Sequence, residues 1–220
     1  MTTVFLLQIP HSLPQGDFLR LGGHISPEKQ KRIRRSRKAH HQRAILLADL
    51  LLRRQLLEKT GLENHALRFT VNLHGKPALL NVPDLHFNLS HSGSHIVCAM
   101  GDRPLGIDIE TIRPLNLTIA ERFFAPEEAE AIQAAPMDKQ QLLFFAIWTK
   151  KEAYVKYLGQ GLFSQPLHSF NVLEEMEGVC FDEIPVSGGT VCHMCRERAG
   201  DFTCHWVSPE DLIRDFLSYV

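Results

Sequence analysis

The sequence has no apolar run long enough to cross a membrane. The longest, AILLADLLL, is interrupted by Asp49 and flanked by arginines. The opening MTTVFLLQIPHSLPQ has neither a basic leader nor a small-residue cleavage site, so it reads as a first strand rather than a secretory signal. Cysteine is scarce: five residues, an odd number at irregular spacing, in a chain of 220. That excludes a disulfide scaffold and points to a reducing cytoplasm. No segment is of low complexity or linker-like, and no direct repeat stands in the letters. What remains is an ordinary globular composition, 44% hydrophobic and 22% charged, with ample length for one large core or two small ones.

Acid is missing from one stretch. Residues 29–43, KQKRIRRSRKAHHQR, contain eight Lys or Arg and no Asp or Glu, which leaves −9 on the rest of a chain whose net charge is −1. A basic segment on an acidic protein points to a polyanionic partner: nucleic acid, a membrane surface or a phosphate-rich small molecule. A solvated helix face would give the same letters.

Read in order, ISPEKQKRI opens a helix, with Ser26 as N-cap, Pro27 at the first helical position and Glu28 suiting the N-terminal dipole. Ala44 to Leu57 is apolar almost all round and predicts a buried helix stopped by Gly61. LRFTVN reads as a strand and LHGKPAL as a turn. HFNLSHS and HIVCAMG read as two strands joined at Ser92-Gly93, and LGIDIE follows as the next. NLTIAERFF is helical, Pro126 opens a short helix, and the strongest helix runs from about Asp138 to Leu158, stopped by Gly159. PLHSFNVL and GVCFDEI look like strands. TVCHMCRERAGDFTCHWV looks like a hairpin turning at Ala199-Gly200-Asp201, and Ser208 caps a last helix that begins at Pro209. The order predicts an α+β fold of two similar halves, 1–105 and 106–220, each a small mainly antiparallel sheet packed on a long helix.

The chemistry concentrates in two short stretches. In GIDIE, strand alternation sends Ile107 and Ile109 to a core and sets Asp108 and Glu110 on the other face, roughly 7 Å apart. Two like charges so close are relieved by a metal ion or by open solvent. In WTKKEAYVK, helical spacing stacks Trp148, Glu152 and Lys156 on one face with Lys151 beside them. Three acids from two elements would form an oxygen-rich site for Mg²⁺, and adjacent lysines would bind phosphate oxygens.

These stretches, with GKP at 75–77 and FNLSHS at 87–92, resemble the 4′-phosphopantetheinyl transferases in identity, order and spacing. The chain is similar to the long, surfactin-synthetase-activating type, in which two related halves are fused and the active site lies between them. The resemblance runs from ISPEK to about Phe170. It implies that coenzyme A binds in the cleft and that its phosphopantetheine arm passes to a serine hydroxyl of an apo carrier protein, releasing adenosine 3′,5′-bisphosphate. It implies Mg²⁺ on Asp108, Glu110 and Glu152, with Glu152 also a candidate base and Lys156 contacting the diphosphate. Ser90 and His91 match phosphate-contacting positions, Lys76 the GKP lysine and Lys151 the first lysine of its motif. Lys29 and Arg32 fall near the family's basic residues for the 3′-phosphate. A carrier protein and coenzyme A are then the expected partners of a monomer, with no nucleic acid or membrane.

Rival readings explain less. A nucleic-acid-binding module using residues 29–43 accounts for the basic run but not for the paired acids, which would repel a phosphate backbone. A hydrolase built on a carboxylate pair leaves the lysines and the basic run unexplained. Cys192-x-x-Cys195, near Cys204 and His205, invites zinc, but positions three apart on a strand point to opposite faces.

Overall fold

A computed structural model describes residues 1–114, 116–161, 166–197 and 200–218. Strand β1 (Thr2–Gln8) is followed by helices α1 (Gln15–Gly22), α2 (Pro27–Arg35) and α3 (Ala39–Thr60). Strands β2 (Phe69–Val71), β3 (Pro77–Leu79), β4 (His86–Ser92), β5 (His95–Gly101) and β6 (Leu105–Thr111) come next. Helices α4 (Ile119–Phe123), α5 (Pro126–Ala134) and α6 (Met137–Leu158) lead to β7 (Cys180–Glu183), β8 (Thr190–Arg196), β9 (Phe202–Val207) and α7 (Pro209–Ser218). The fold is α+β.

The helix signals act as read. Ser26 accepts the Lys29 amide at the start of α2, and Gly61 and Gly159 adopt left-handed φ of 68° and 66° to end α3 and α6. Apolar residues cover nearly the whole circumference of α3, which is why it is buried along most of its length.

Two main sheets result, with orders β4-β5-β1-β9 and β6-β8-β7, and a small β2-β3 hairpin. HIVCAMG shows no polar alternation because β5 is covered on both faces. Ile96, Cys98 and Met100 pack towards α3, while Val97 and Ala99 join Val4 and Leu6 against Ile107, Ile109, Cys192 and Met194 of the second sheet. Helix α6 lies on the far side of that second sheet. Its remaining face packs through Phe144, Phe145 and Ile147 with Phe124, Ala129 and Ile132.

Three expectations are corrected. TVCHMCRERAGDFTCHWV is no hairpin: β8 pairs antiparallel with β6, whereas β9 crosses to the first sheet and pairs parallel with β1. Both sheets offer an open edge to an apolar strand, and periodicity does not say which one takes it. The expected turn residue Ala199 lies outside the described residues. PLHSFNVL forms a single helical turn over Leu167–Ser169 rather than a strand, because carbonyls of this segment are drawn to a buried lysine. LRFTVN keeps only Phe69–Val71 as strand, since Asn72 turns the chain by accepting the amides of His74 and Lys76.

Candidate active site

The site begins with a glycine. A Cβ on Gly106 would lie 2.1 Å from the Ala153 carbonyl oxygen and 2.3 Å from the Tyr157 nitrogen. Only glycine lets β6 lie directly against the α6 backbone. The face of β6 that carries Gly106, Asp108 and Glu110 is therefore covered by a helix. Asp108 is only 5% exposed, so open solvent is not what relieves its charge.

Strand β4 supplies the other wall through alternate side chains. Asn88 Oδ1 accepts the Ile107 amide at 2.9 Å. Ser90 Oγ donates to Asp108 Oδ1 at 2.7 Å. Ser92 Oγ donates to Glu110 Oε2 at 2.6 Å and accepts the Thr111 amide. The polar letters of FNLSHS are thus a period-two ladder joining β4 to β6. Ser92 was missed as a site residue, although its alternation with Ser90 matches that of Glu110 with Asp108.

Helix α6 closes the site. Lys156 Nζ lies 2.6 Å from Asp108 Oδ1 and 3.2 Å from both Ser90 Oγ and the Ile107 carbonyl oxygen. Asp108 Oδ2 is buried with no partner among the described residues. Burial raises the pKa of Asp108, against the opposing pull of Lys156. Glu152 is pushed up to about 7, first by burial and then by the charges of Asp108 and Glu110. Glu110 also meets Arg113 at 3.0 Å. Glu152, Asp108 and Glu110 therefore feel one another electrostatically; Lys156 is the counter-charge of Asp108 and Glu152, and Arg113 that of Glu110.

A cleft of about 570 Å³ lies between α2, α3 and the β2-β3 hairpin, joined to these acids through Ser90, which lines it and bonds Asp108. Ser90 and His91 stand at one end, and Lys29 and Arg32 line its wall. The His91 ring lies 5.8 Å from that of His41. Burial, followed by the charges of His41, Lys156 and Arg32, lowers its pKa. The basic segment spans the end of α2, a break at residues 36–38 and the start of α3, and borders this cleft with its first residues.

Two lysines expected at the ligand are committed elsewhere. Lys76 donates to the carbonyls of Leu105, Lys156 and Tyr157 at 3.1, 2.6 and 3.1 Å. It satisfies the open C-terminal carbonyls of α6, while Asn72 holds the Gly159 carbonyl at 2.7 Å. Burial brings its pKa down to about 8. Lys151 is fully buried, paired with Glu128 at 2.7 Å, and donates to the Leu167 and Phe170 carbonyls. Neither ammonium has a donor left for a phosphate.

The donor chemistry fits a hard divalent cation: three carboxylates, one with a buried, unpartnered oxygen. Among the described residues no three such side chains are already gathered around one point, and the ammonium of Lys156 occupies the neighbourhood of Asp108.

A cleft with a basic wall and acids at its head is the arrangement of an enzyme acting on a phosphate ester. Comparison with known proteins gives the particular kind. Residues 104–206 match the 4′-phosphopantetheinyl transferase superfamily, and residues 14–102 match a 4′-phosphopantetheinyl transferase N-terminal family. The chain is 36% identical over 184 residues to 4′-phosphopantetheinyl transferase Sfp of Bacillus subtilis, covering 84% of this chain and 82% of that one. It is 34% identical over 165 residues to 4′-phosphopantetheinyl transferase HetI of a Nostoc strain, covering 72% and 70%. To the human L-aminoadipate-semialdehyde dehydrogenase-phosphopantetheinyl transferase it is 30% identical over 152 residues, covering 63% and 49%. The chain belongs to the 4′-phosphopantetheinyl transferase family and is an enzyme.

Proposed function

We propose that the protein moves the 4′-phosphopantetheine arm of coenzyme A to the serine hydroxyl of an apo carrier protein. The bond from the serine oxygen to phosphorus forms, the bond from that phosphorus to the bridging oxygen of the diphosphate breaks, and adenosine 3′,5′-bisphosphate leaves. The observation that carries this reading is the meeting of α6 with β6, where Lys156 lies 2.6 Å from the buried Asp108 and Glu152, pushed up to about 7 by burial and by the acids of β6, shares the site near a cleft walled by Lys29 and Arg32. A carboxylate so tuned accepts the serine proton at neutral pH. Lys156 bears on the diphosphate, where negative charge accumulates on the leaving group. Ser90 and His91 orient it, and Lys29 and Arg32 take the 3′-phosphate from the cleft wall. Lys76 and Lys151 position α6 rather than touch the ligand. Asp108, Glu110 and Glu152 would hold Mg²⁺, which when bound supplies positive charge to the diphosphate.

The organisation we propose is two halves, 1–105 and 106–220, related by a pseudo-twofold axis. Support comes from their matching plans. Each opens with a strand that pairs antiparallel with a later strand, as β1-β5-β4 and β6-β8-β7. Each has a short helix with proline at its start and then a 22-residue helix ended by a left-handed glycine. Strand β9 and helix α7 come back to the first half. Because both halves build one site within a single chain, the protein acts as a monomer. Its five free thiols suit the cytoplasm, and among the described residues no helix is long and apolar enough to cross a membrane.

The test is incubation with coenzyme A, Mg²⁺ and a panel of apo carrier proteins, reading intact mass. One carrier or more gains a single phosphopantetheine with the metal and none without it. No gain on any carrier overturns the reading.

A further inference from the structure

The cleft contains an acid that the transfer does not explain. Helix α3 faces it with Ile45, Ala48, Asp49, Leu52 and Arg53, a helical stripe that is apolar except at its centre and end. Asp49 is 7% exposed and Arg53 6%. Arg53 is held in place: Nε donates to Asp49 Oδ2 at 2.7 Å, Nη1 donates to Asn64 Oδ1 at 2.8 Å, and the guanidinium lies 5.1 Å from the centre of the Phe69 ring. Among the described residues the other oxygen, Asp49 Oδ1, accepts no hydrogen bond from the protein. The pair therefore presents one fixed acceptor to a cavity that is apolar at Ile45, Leu52 and Phe69 and charged on the α2 side at Glu28, Lys29 and Arg32.

A carboxylate is the wrong group to show a phosphate. In an anion-binding cleft it must face a neutral donor, carried by something flat and apolar enough for those walls. The diphosphate lies at the Ser90 and His91 end, and the pantetheine arm continues past it to the acids of β6. The nucleoside is then the part of the ligand that fills the cleft, and the exocyclic amino group of its adenine is the donor on its flat face edge. We propose that Asp49 reads the amino group of the nucleobase of coenzyme A, with Arg53 as the positioning residue that aims it. The inference rests on the coenzyme A reading above. It makes the enzyme selective for a 6-amino purine, because a 6-oxo purine would set an oxygen against Asp49 Oδ1 and leave a buried acceptor unpaired.

The experiment compares transfer from coenzyme A with transfer from its deaminated analogue, which has hypoxanthine in place of adenine. Wild type prefers coenzyme A by about tenfold or more in kcat/KM, the scale of one hydrogen bond to a charged group. Asp49→Asn keeps an acceptor for Arg53 and can turn its amide to donate to the 6-oxo group, so the preference falls to within about threefold. Equal use of both donors by wild type overturns the inference and leaves the transfer reading standing. So does an unchanged preference in a folded Asp49→Asn. Failure of wild type to transfer from coenzyme A overturns the transfer reading itself. Should Asp49→Asn not fold, the wild-type ratio alone decides.

Discussion

Helix α6 carries two lysines five positions apart, each paired with a buried acid, and their surroundings could hardly differ more. Around Lys151 every polar group is used. Its ammonium meets Glu128 and two carbonyls, and the oxygens of Glu128 also accept the amides of Ala125 and Val172 at 2.9 and 2.7 Å. Around Lys156 the accounts stay open: Asp108 keeps an unpartnered buried oxygen, and burial and its neighbours hold Glu152 up near 7. A satisfied buried network fixes structure, whereas an unsatisfied one holds strain for a ligand to relieve. Sequence spacing makes the two lysines look like neighbours in one motif. The hydrogen bonds show one anchoring α5 and the 167–170 segment to α6, and the other facing the site.

The largest effect should come from the closed network. Lys151→Met leaves Glu128 buried without its counter-charge and should cost about 3–5 kcal/mol of unfolding free energy, measured by denaturant titration. Lys151→Met with Glu128→Leu should recover much of that loss, since an apolar pair needs no compensation. A single variant as stable as wild type would break the distinction drawn here.

At the open network the effect should fall on rate. Asp108→Asn keeps an acceptor for Ser90 and Lys156, and burial, which raises the pKa of Asp108, makes its charge costly to hold in the folded protein. Stability should change by less than about 1 kcal/mol, while transfer falls by about a hundredfold or more. Loss of the fold instead would make Asp108 structural, like Glu128. Glu152→Gln separates two roles of one side chain. As the base, Glu152 cannot be replaced by an amide, and single-turnover transfer should drop by about 10²–10⁴. Recovery of that rate in excess Mg²⁺ or Mn²⁺ would leave Glu152 a ligand only.

A smaller effect belongs to the basic wall. Neutralising Lys29 and Arg32 together should raise KM for coenzyme A by about tenfold and leave KM for the analogue lacking the 3′-phosphate nearly unchanged. Equal effects on both would remove these residues from that phosphate.

The smallest is a slope with pH. Glu152 has an ordinary pKa of 4.5 and a folded one of about 7, so between these values the folded state binds more proton than the unfolded state. Its contribution is full below about 4.5 and is lost as pH rises through 7. Unfolding free energies at pH 5 and pH 8 should therefore differ less in Glu152→Gln than in wild type. Parallel slopes would show that Glu152 is not held above the ordinary carboxylate range.

Much of this was written locally. Caps, stops and alternation are short-range, so Ser26, Pro27, Gly61, Gly159 and the strand period of GIDIE and FNLSHS all acted where the letters put them. The identities that define the family are local too, which is why Asp108, Glu110, Glu152 and Lys156 could be named together before any coordinates. What the letters could not carry is which face meets which. Covering the acids of β6 required α6 to settle on Gly106, a contact between residues about fifty apart. Committing Lys76 and Lys151 to structure required carbonyls from segments distant in the chain to reach them. Sending β9 to the first sheet required a free edge beside β1. Spacing along the chain fixes periodicity, and hence which side chains share a face. Only packing decides what that face is pressed against, because burial and long-range hydrogen bonds arise between elements and not within them.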